Sequence, residues 1–133
     1  MQQMGTQPSP QASRPVTVLL VEDDRAAQEV LQRWLSESGR NAVACSTYKE
    51  ATEYLASHTP DVLVTDIRLE DYNGLQLVML FTNRQPGASC LVLSGFDDPV
   101  LRREAEQMHA HYLVKPVGRR DFLAAIENLA TAP

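Results

Sequence analysis

The chain has 133 residues, of which 44% are hydrophobic and 22% charged, a length and composition typical of one globular domain with its own core. Its formal net charge of −5 argues against general electrostatic binding to nucleic acid or anionic lipid, and no apolar run approaches the roughly 20 residues of a membrane span. The N-terminal MQQMGTQPSPQASRP lacks a secretory signal's basic and apolar regions, and the two cysteines form no CxxC pair, so we expect a cytosolic protein with reduced thiols.

The predicted elements begin after a polar leader. Residues 1–14 are rich in Gln, Ser and Pro, which predicts a disordered leader before one folded domain over residues 15–131. Short apolar runs then alternate five times with segments of helical periodicity. The runs predicted as strands are VTVLLV (16–21), NAVAC (41–45), DVLVTD (61–66), ASCLVLS (88–94) and HYLV (111–114). Their aliphatic and β-branched content is typical of strands buried on both faces.

A helix is predicted after each strand from its capping and turn residues. The first helix begins after Asp24 and stops at Gly39, and the second has a capping box of Thr47 and Glu50 and runs to about Ser57. The third helix begins at Asn73-Gly74, the fourth begins at Asp98-Pro99, and the fifth begins near Gly118. Five strand–helix units predict a parallel sheet with helices on both faces, a three-layer doubly wound α/β fold. Ligands of such folds bind at the carboxyl ends of the strands.

Polar side chains stand where four of these strands end. Glu22 and Asp23 follow the first strand, Asp66 ends the third, Ser94 ends the fourth, and Lys115 follows the fifth. Neighbouring carboxylates repel one another unless a cation neutralises them, and Mg²⁺ binds one or two carboxylates while keeping several waters. A carboxylate there can attack phosphorus, while an amine and a hydroxyl bind the transferred oxygens. The pattern predicts phosphoryl transfer to Asp66 with Mg²⁺, or with Mn²⁺ in its place.

Four segments of the chain carry a family resemblance. VLLVEDD, LVTDIRLEDYNGLQL, LVLSG and YLVKPV closely resemble the marker segments of response regulator receiver domains, the CheY-like superfamily of two-component signal transduction. The resemblance covers about residues 16–130. It implies a (βα)5 flavodoxin-like fold with a five-stranded parallel sheet in the order 2-1-3-4-5. It also implies a signalling phosphoprotein that carries an aspartyl phosphate, rather than an enzyme.

The resemblance implies a role for each matching residue. Glu22 and Asp23 match the acidic pair that holds the metal, Asp66 matches the phosphoacceptor and further metal ligand, and Arg68 matches the residue whose backbone carbonyl completes the coordination. Ser94 and Tyr112 match the switch pair, and Ser94 also binds the phosphoryl group. Lys115 matches the phosphoryl-binding lysine, and Pro116 matches the proline that follows it through a cis bond. Tyr112 is expected to turn inward when Ser94 moves toward the phosphoryl group. Arg68 and Phe96 occupy positions that modulate phosphoryl lifetime, and their bulk predicts slow self-dephosphorylation.

The implied partner is a histidine kinase or a histidine phosphotransfer protein. The signal is expected to leave through the surface of the fourth helix, the fifth strand and the fifth helix, which acts on an output partner or domain. A homodimer through that surface, or through a third helix with the consecutive apolar residues Val78 to Phe81, is a further expectation. Direct binding to nucleic acid or to a membrane is not expected of this domain.

Several alternatives stay open from the residues alone. The runner-up function is a degenerate receiver that acts as a phosphorylation-independent interaction module. A phosphatase of the haloacid dehalogenase type would need a second acid where Arg68 stands, and a flavodoxin-like cofactor binder would meet repulsion from residues 22–24. A disulfide between Cys45 and Cys90 is also open. His109 and His111 have an HxH spacing without a third metal ligand nearby.

Overall fold

A computed structural model describes residues 14–131 of the chain. The strands are β1 (Thr17–Val21), β2 (Asn41–Cys45), β3 (Val62–Asp66), β4 (Ser89–Ser94) and β5 (Ala110–Val114), and the helices are α1 (Arg25–Glu37), α2 (Tyr48–Leu55), α3 (Gly74–Arg84), α4 (Pro99–Gln107) and α5 (Arg119–Thr131). Every predicted element is present, with ends shifted by one or two residues. Within residues 14–131, no helix has the length and apolar character needed to cross a membrane.

The helices begin where short polar side chains cap them. Asp24, Thr47, Asn73 and Asp98 each accept a hydrogen bond from a backbone N–H in the first turn of α1, α2, α3 and α4. These bonds satisfy amide groups that have no partner inside a helix. At the other end of α1, Gly39 has a positive φ of 86°, the conformation that ends many helices.

The sheet is parallel with the strand order β2-β1-β3-β4-β5, as the resemblance implies. Its two faces carry separate cores. On one face, α1 and α5 bury Leu35 and Phe122 against β1, β3 and β4, and on the other, α2, α3 and α4 bury residues such as Leu55, Phe81 and Ala105. Helices on both faces make the three-layer doubly wound fold that the sequence predicts.

The third helix is less exposed than its apolar sequence suggests. Val78 and Phe81 are fully buried, and Leu80 is partly buried against the same core. Of the four consecutive apolar residues, only Met79 is exposed, with 52% of its surface accessible. One exposed methionine is common on a protein surface, so the structure gives little support to a dimer through α3.

The described part of the predicted leader is one residue. Arg14 forms a bidentate ion pair with Asp61 at the start of β3, with distances of 2.8 and 2.9 Å, and Asp61 also accepts a hydrogen bond from the Thr17 amide. Arg14, the last residue of the predicted leader, thus contacts the folded domain. The rest of the predicted leader, residues 1–13, lies outside the described residues.

Both cysteines are buried and unbridged. Burial raises the pKa of Cys45 to about 11 and the pKa of Cys90 to about 12. The two thiols are therefore protonated at neutral pH, which makes them poor nucleophiles. The structure confirms free thiols and does not contain the alternative disulfide.

His109, between α4 and β5, is expected to cost the fold some stability. It has a positive φ of 61°, a conformation that costs most L-residues about 1 kcal/mol and glycine much less. His109→Gly should therefore raise the free energy of unfolding by up to about 1 kcal/mol, measured by urea denaturation. Gly39→Ala, which places a side chain at a positive φ, should lower the free energy of unfolding by a similar amount. A loss of stability in His109→Gly would contradict the account.

Candidate functional site

The strand register places the polar residues side by side at one edge of the sheet. Val21 pairs with Thr65, so the residues that follow them, Glu22 and Asp66, are level. On the other side, Asp66 pairs with Leu93, and Ser94 pairs with Val114. Ser94 thus lies one residue beyond the level of Asp66, and Lys115 lies one residue beyond the level of Ser94. The carboxyl ends of β1, β3, β4 and β5 therefore meet at one site.

Three carboxylates form a cluster at this site. Glu22, Asp23 and Asp66 each offer an oxygen, and these oxygens lie within 4.8 Å of one another. Glu22 is only 1% exposed and Asp66 only 5%. Because carboxylates are rarely buried without a counter-charge, the cluster indicates a positive partner.

Part of that positive charge comes from Lys115. Its Nζ lies 2.8 Å from Oε1 of Glu22 and 2.7 Å from Oδ1 of Asp66. The contact with Glu22 is a well-formed hydrogen bond. Asp66 Oδ1 has no aligned hydrogen-bond donor among the described residues, so its contact with Lys115 is an ion pair of imperfect geometry. One buried oxygen of the predicted phosphoacceptor is thus left without a directed donor.

The protonation of the cluster follows from this crowding. Burial and then the neighbouring Glu22 raise the pKa of Asp66 to about 8. Burial also raises the pKa of Glu22, but hydrogen bonds with Asp66 and Lys115 outweigh it and leave that pKa below its usual value. Burial and the charge of Glu22 raise the pKa of Asp23. At neutral pH, Asp66 therefore favours its protonated form until a cation takes the place of the proton.

The residues present fit a hard divalent cation. When all three carboxylates are ionised, they and the one ammonium leave two uncompensated negative charges, which one divalent ion would cancel. Oxygen donors are the ligands that Mg²⁺ and Mn²⁺ prefer, and Asp66 Oδ1 is an oxygen without a directed donor. Neither His109 nor His111 belongs to a potential metal cluster of the described residues, so the HxH spacing does not mark a second site.

Ser94 and Tyr112 meet at the backbone of Phe96. The Ser94 hydroxyl donates to the Phe96 carbonyl at 2.9 Å, and the Tyr112 hydroxyl donates to the same carbonyl at 2.8 Å. Tyr112 is already buried, with 5% of its surface exposed, although Ser94 remains bonded to Phe96. A buried Tyr112 ring and a Ser94 hydroxyl bonded to Phe96 thus occur together in this structure.

Arg68 and Phe96 stand together at the mouth of the site. The guanidinium carbon of Arg68 lies 5.0 Å from the centroid of the Phe96 ring, within the range of a cation–π interaction. Both side chains line a cavity of about 250 Å³ that also contains Asp66 and Lys115. The Lys115–Pro116 peptide bond is cis, as the resemblance implies.

Three further residues support the site in ways that the sequence did not predict. Gly74 lies where a Cβ atom would be 1.8 Å from the Asp66 carbonyl oxygen, so only glycine allows α3 to approach the end of β3. The Gln28 amide donates to the Glu22 carbonyl at 2.9 Å and the Cys45 carbonyl at 3.1 Å. Asp71 accepts hydrogen bonds from the first amides of α2, which ties the β3–α3 loop to that helix.

The chain belongs to the response regulator receiver domain family, because the sequence model of that family matches residues 18–127. The DNA-binding transcriptional regulator NtrC of Escherichia coli K12 is 34% identical over 115 residues, which are 84% of this chain and 24% of NtrC. The chain thus spans about a quarter of the length of that relative.

Solved structures confirm the fold. A CheY-like receiver domain protein from Methanospirillum hungatei JF-1 has a TM-score of 0.83 and 23% identity, over 87% of this chain and 94% of that one. The beryllofluoride-activated NtrC4 receiver domain dimer has a TM-score of 0.80 and 24% identity, over 85% and 94%. The protein is therefore a receiver domain with the CheY-like fold, a signalling domain of two-component response regulators.

Proposed function

We propose that this receiver domain accepts a phosphoryl group on Asp66 from a phosphohistidine of a histidine kinase or phosphotransfer protein in the cytoplasm. The observation that carries the proposal is the state of Asp66 Oδ1. This oxygen is buried, lies 2.7 Å from the Lys115 ammonium and has no directed donor among the described residues. Such an atom suits a site that binds a cation and then a phosphoryl group.

In the proposed step, an Asp66 carboxylate oxygen attacks phosphorus as the phosphorus–nitrogen bond of the donor histidine breaks. The electron pair of that bond stays with the imidazole nitrogen while the other ring nitrogen keeps its proton, so an acyl phosphate forms on Asp66 and a neutral histidine is released. A bound Mg²⁺, held by Glu22, Asp23, Asp66 and the Arg68 backbone carbonyl, would neutralise charge on the transferred oxygens. The Lys115 ammonium and the Ser94 hydroxyl bind the remaining oxygens. Attack by water later returns Asp66 and inorganic phosphate.

The test is incubation with Mg²⁺ and acetyl phosphate, followed by intact mass measurement and a phosphate-affinity gel. We expect one phosphoryl adduct in the wild-type chain. The adduct should be absent from Asp66→Asn and after EDTA treatment, and it should be retained in Glu29→Gln, a control that removes an exposed acid outside the cluster. An Asp66→Asn protein that still gains the adduct would sink the proposal. An unmodified chain that binds a partner tightly would favour the degenerate-receiver alternative.

The Arg68–Phe96 pair is expected to prolong the lifetime of the acyl phosphate. The two side chains stack at the mouth of the cavity that holds Asp66, where they hinder the in-line approach of water. The double variant Arg68→Ala, Phe96→Ala should lose its phosphoryl group several-fold faster, because loss of one barrier to water of about 1 kcal/mol gives a factor of about five. The decay is followed by phosphate release after removal of the donor. A double variant with a longer half-life than the wild-type chain would rule out this role.

We place the output on the α4–β5–α5 surface. Tyr112 of β5 contacts Arg102 of α4 and the β4–α4 loop at Phe96, so a change at Ser94 reaches that surface through direct contacts. The NtrC4 receiver with a similar fold is described as a dimer in its activated form, which is consistent with self-association of this chain. We assign that contact in this chain to the α4–β5–α5 surface. Sedimentation with and without beryllofluoride tests it. A chain that stays monomeric in both states would oppose the dimer.

A further inference from the structure

The inward position of Tyr112 has a support that the family motifs do not include. The guanidinium carbon of Arg102 lies 4.6 Å from the centroid of the Tyr112 ring, which is cation–π geometry. The same guanidinium also forms an ion pair with Asp97, at 2.9 Å between Nη2 and Oδ1. Tyr112 is thus fixed at both ends, at its ring by Arg102 and at its hydroxyl by the Phe96 carbonyl.

The position of Ser94 shows that these contacts act without it. Ser94 donates to the Phe96 carbonyl at 2.9 Å, so the carbonyl accepts two hydroxyls at the same time. Burial of the Tyr112 ring is therefore compatible with a Ser94 hydroxyl that remains on the loop. Since Ser94 stays on the loop, the inward ring is held by its contacts with Arg102 and the Phe96 carbonyl.

We propose that Arg102 is a positioning residue that holds Tyr112 inward before phosphorylation and so biases the α4–β5–α5 surface toward one arrangement. Arg102 is suited to this because its side chain is 37% exposed, which leaves the cation–π contact only partly solvated. The stacking of Arg102 is independent of the chemistry at Asp66. The signalling meaning of the bias does rest on the proposed function, because it assumes that Asp66 is phosphorylated.

A thermodynamic consequence follows from the same contacts. If phosphorylation and the inward ring favour each other, then a residue that favours the inward ring also favours phosphorylation by the same factor. Loss of a partly solvated cation–π contact of ordinary strength shifts a two-state ratio about fivefold. Arg102→Ala should therefore lower the inward-to-outward ratio of Tyr112 about fivefold and reduce the equilibrium yield of phosphoprotein at limiting acetyl phosphate.

The experiment is ¹⁹F NMR of the whole chain labelled with 3-fluorotyrosine, without metal or phosphodonor. Tyr112→Phe identifies the Tyr112 resonance. Arg102→Ala is expected to shift this resonance toward a second, solvent-exposed state, and Asp97→Asn should shift it less in the same direction. Arg102→Lys, which keeps the cation, should recover at least half of the shift. The matched control is Arg103→Ala, because Arg103 is the next residue of α4 and is exposed.

A Tyr112 resonance that is unchanged in Arg102→Ala, or that moves equally in Arg103→Ala, would overturn the proposal. So would a failure of Arg102→Lys to recover any of the shift. These readings are made on unphosphorylated protein, so they stand even if no adduct forms at Asp66. If Arg102→Ala does not fold, the milder Asp97→Asn and Arg102→Lys variants still decide the outcome, because the ring contact predicts a graded shift in both.

Discussion

Gly74→Ala is expected to lower the free energy of unfolding by about 3 kcal/mol, the upper end of the cost of overpacking a well-packed site. The added Cβ would lie 1.8 Å from the Asp66 carbonyl oxygen and 2.8 Å from its carbonyl carbon. These are backbone atoms at the end of β3, so no side chain can turn away to relieve the contact. Either α3 must move away from the sheet or the end of β3 must shift. The loss is measured by urea denaturation at constant Mg²⁺.

The same substitution should also damage the chemistry of the site. A displacement of about 1 Å at a reacting group can cost on the order of 100-fold in rate, and relief of the contact displaces either the Asp66 backbone or the helix packed directly against it. We therefore expect acetyl phosphate to modify Gly74→Ala on the order of 100 times more slowly. Gly95→Ala is the matched control, because Gly95 lines the same cavity and has nothing within 4 Å of an added Cβ. Equal behaviour of the two variants would refute the steric argument.

Lys115→Met should be the most destabilising substitution of a charged residue in the site. Met keeps the length of the side chain but leaves Glu22 and Asp66 buried without the ammonium that lies within 2.8 Å of both. Loss of one partner from a buried ion pair costs about 3 kcal/mol. Millimolar Mg²⁺ should recover much of that loss, because a divalent cation supplies the missing charge. The free energy of unfolding is compared with and without EDTA.

A double variant separates charge from packing in this prediction. In the Lys115→Met chain, Asp66→Asn removes one of the two carboxylates that the lysine contacts. The second substitution should therefore raise stability in the absence of metal, and the two effects should be clearly non-additive. If Asp66→Asn lowers the stability of the Lys115→Met chain, then the lysine stabilises the site by packing rather than by charge.

Much of the fold could be predicted from the chain because its signals are local. The strands are short aliphatic runs, and caps such as Asp24, Asn73 and Asp98 lie within three residues of the amides they bind. The choice of site residues also followed from a simple rule, since parallel strands end at one edge of the sheet. Strand order came from the family resemblance, because no local pattern specifies which strands pair.

The details of the site were harder to predict because they depend on contacts between distant residues. Lys115 was expected to bind the phosphoryl group, but its contact with Glu22 joins residues 93 positions apart. The caps that Asp71 gives α2 and the ion pair between Arg14 and Asp61 also join distant segments. The Asn73-Gly74 pair was read as a helix start. The need for glycine itself is visible only when the Asp66 carbonyl is placed beside it.

The strand order separates the rigid and the adjustable parts of this molecule. Glu22 follows β1 and Asp66 ends β3, and each of these strands has a hydrogen-bonded neighbour on both sides. Tyr112 lies on β5, an outer strand bonded only to β4. A shift of β5 thus disturbs one ladder of hydrogen bonds, whereas a shift of β1 or β3 disturbs two. Among the charged residues of the site, Lys115 is the one that follows the outer strand, and it contacts both Glu22 and Asp66, so a shift of β5 reaches the acidic residues through this one side chain.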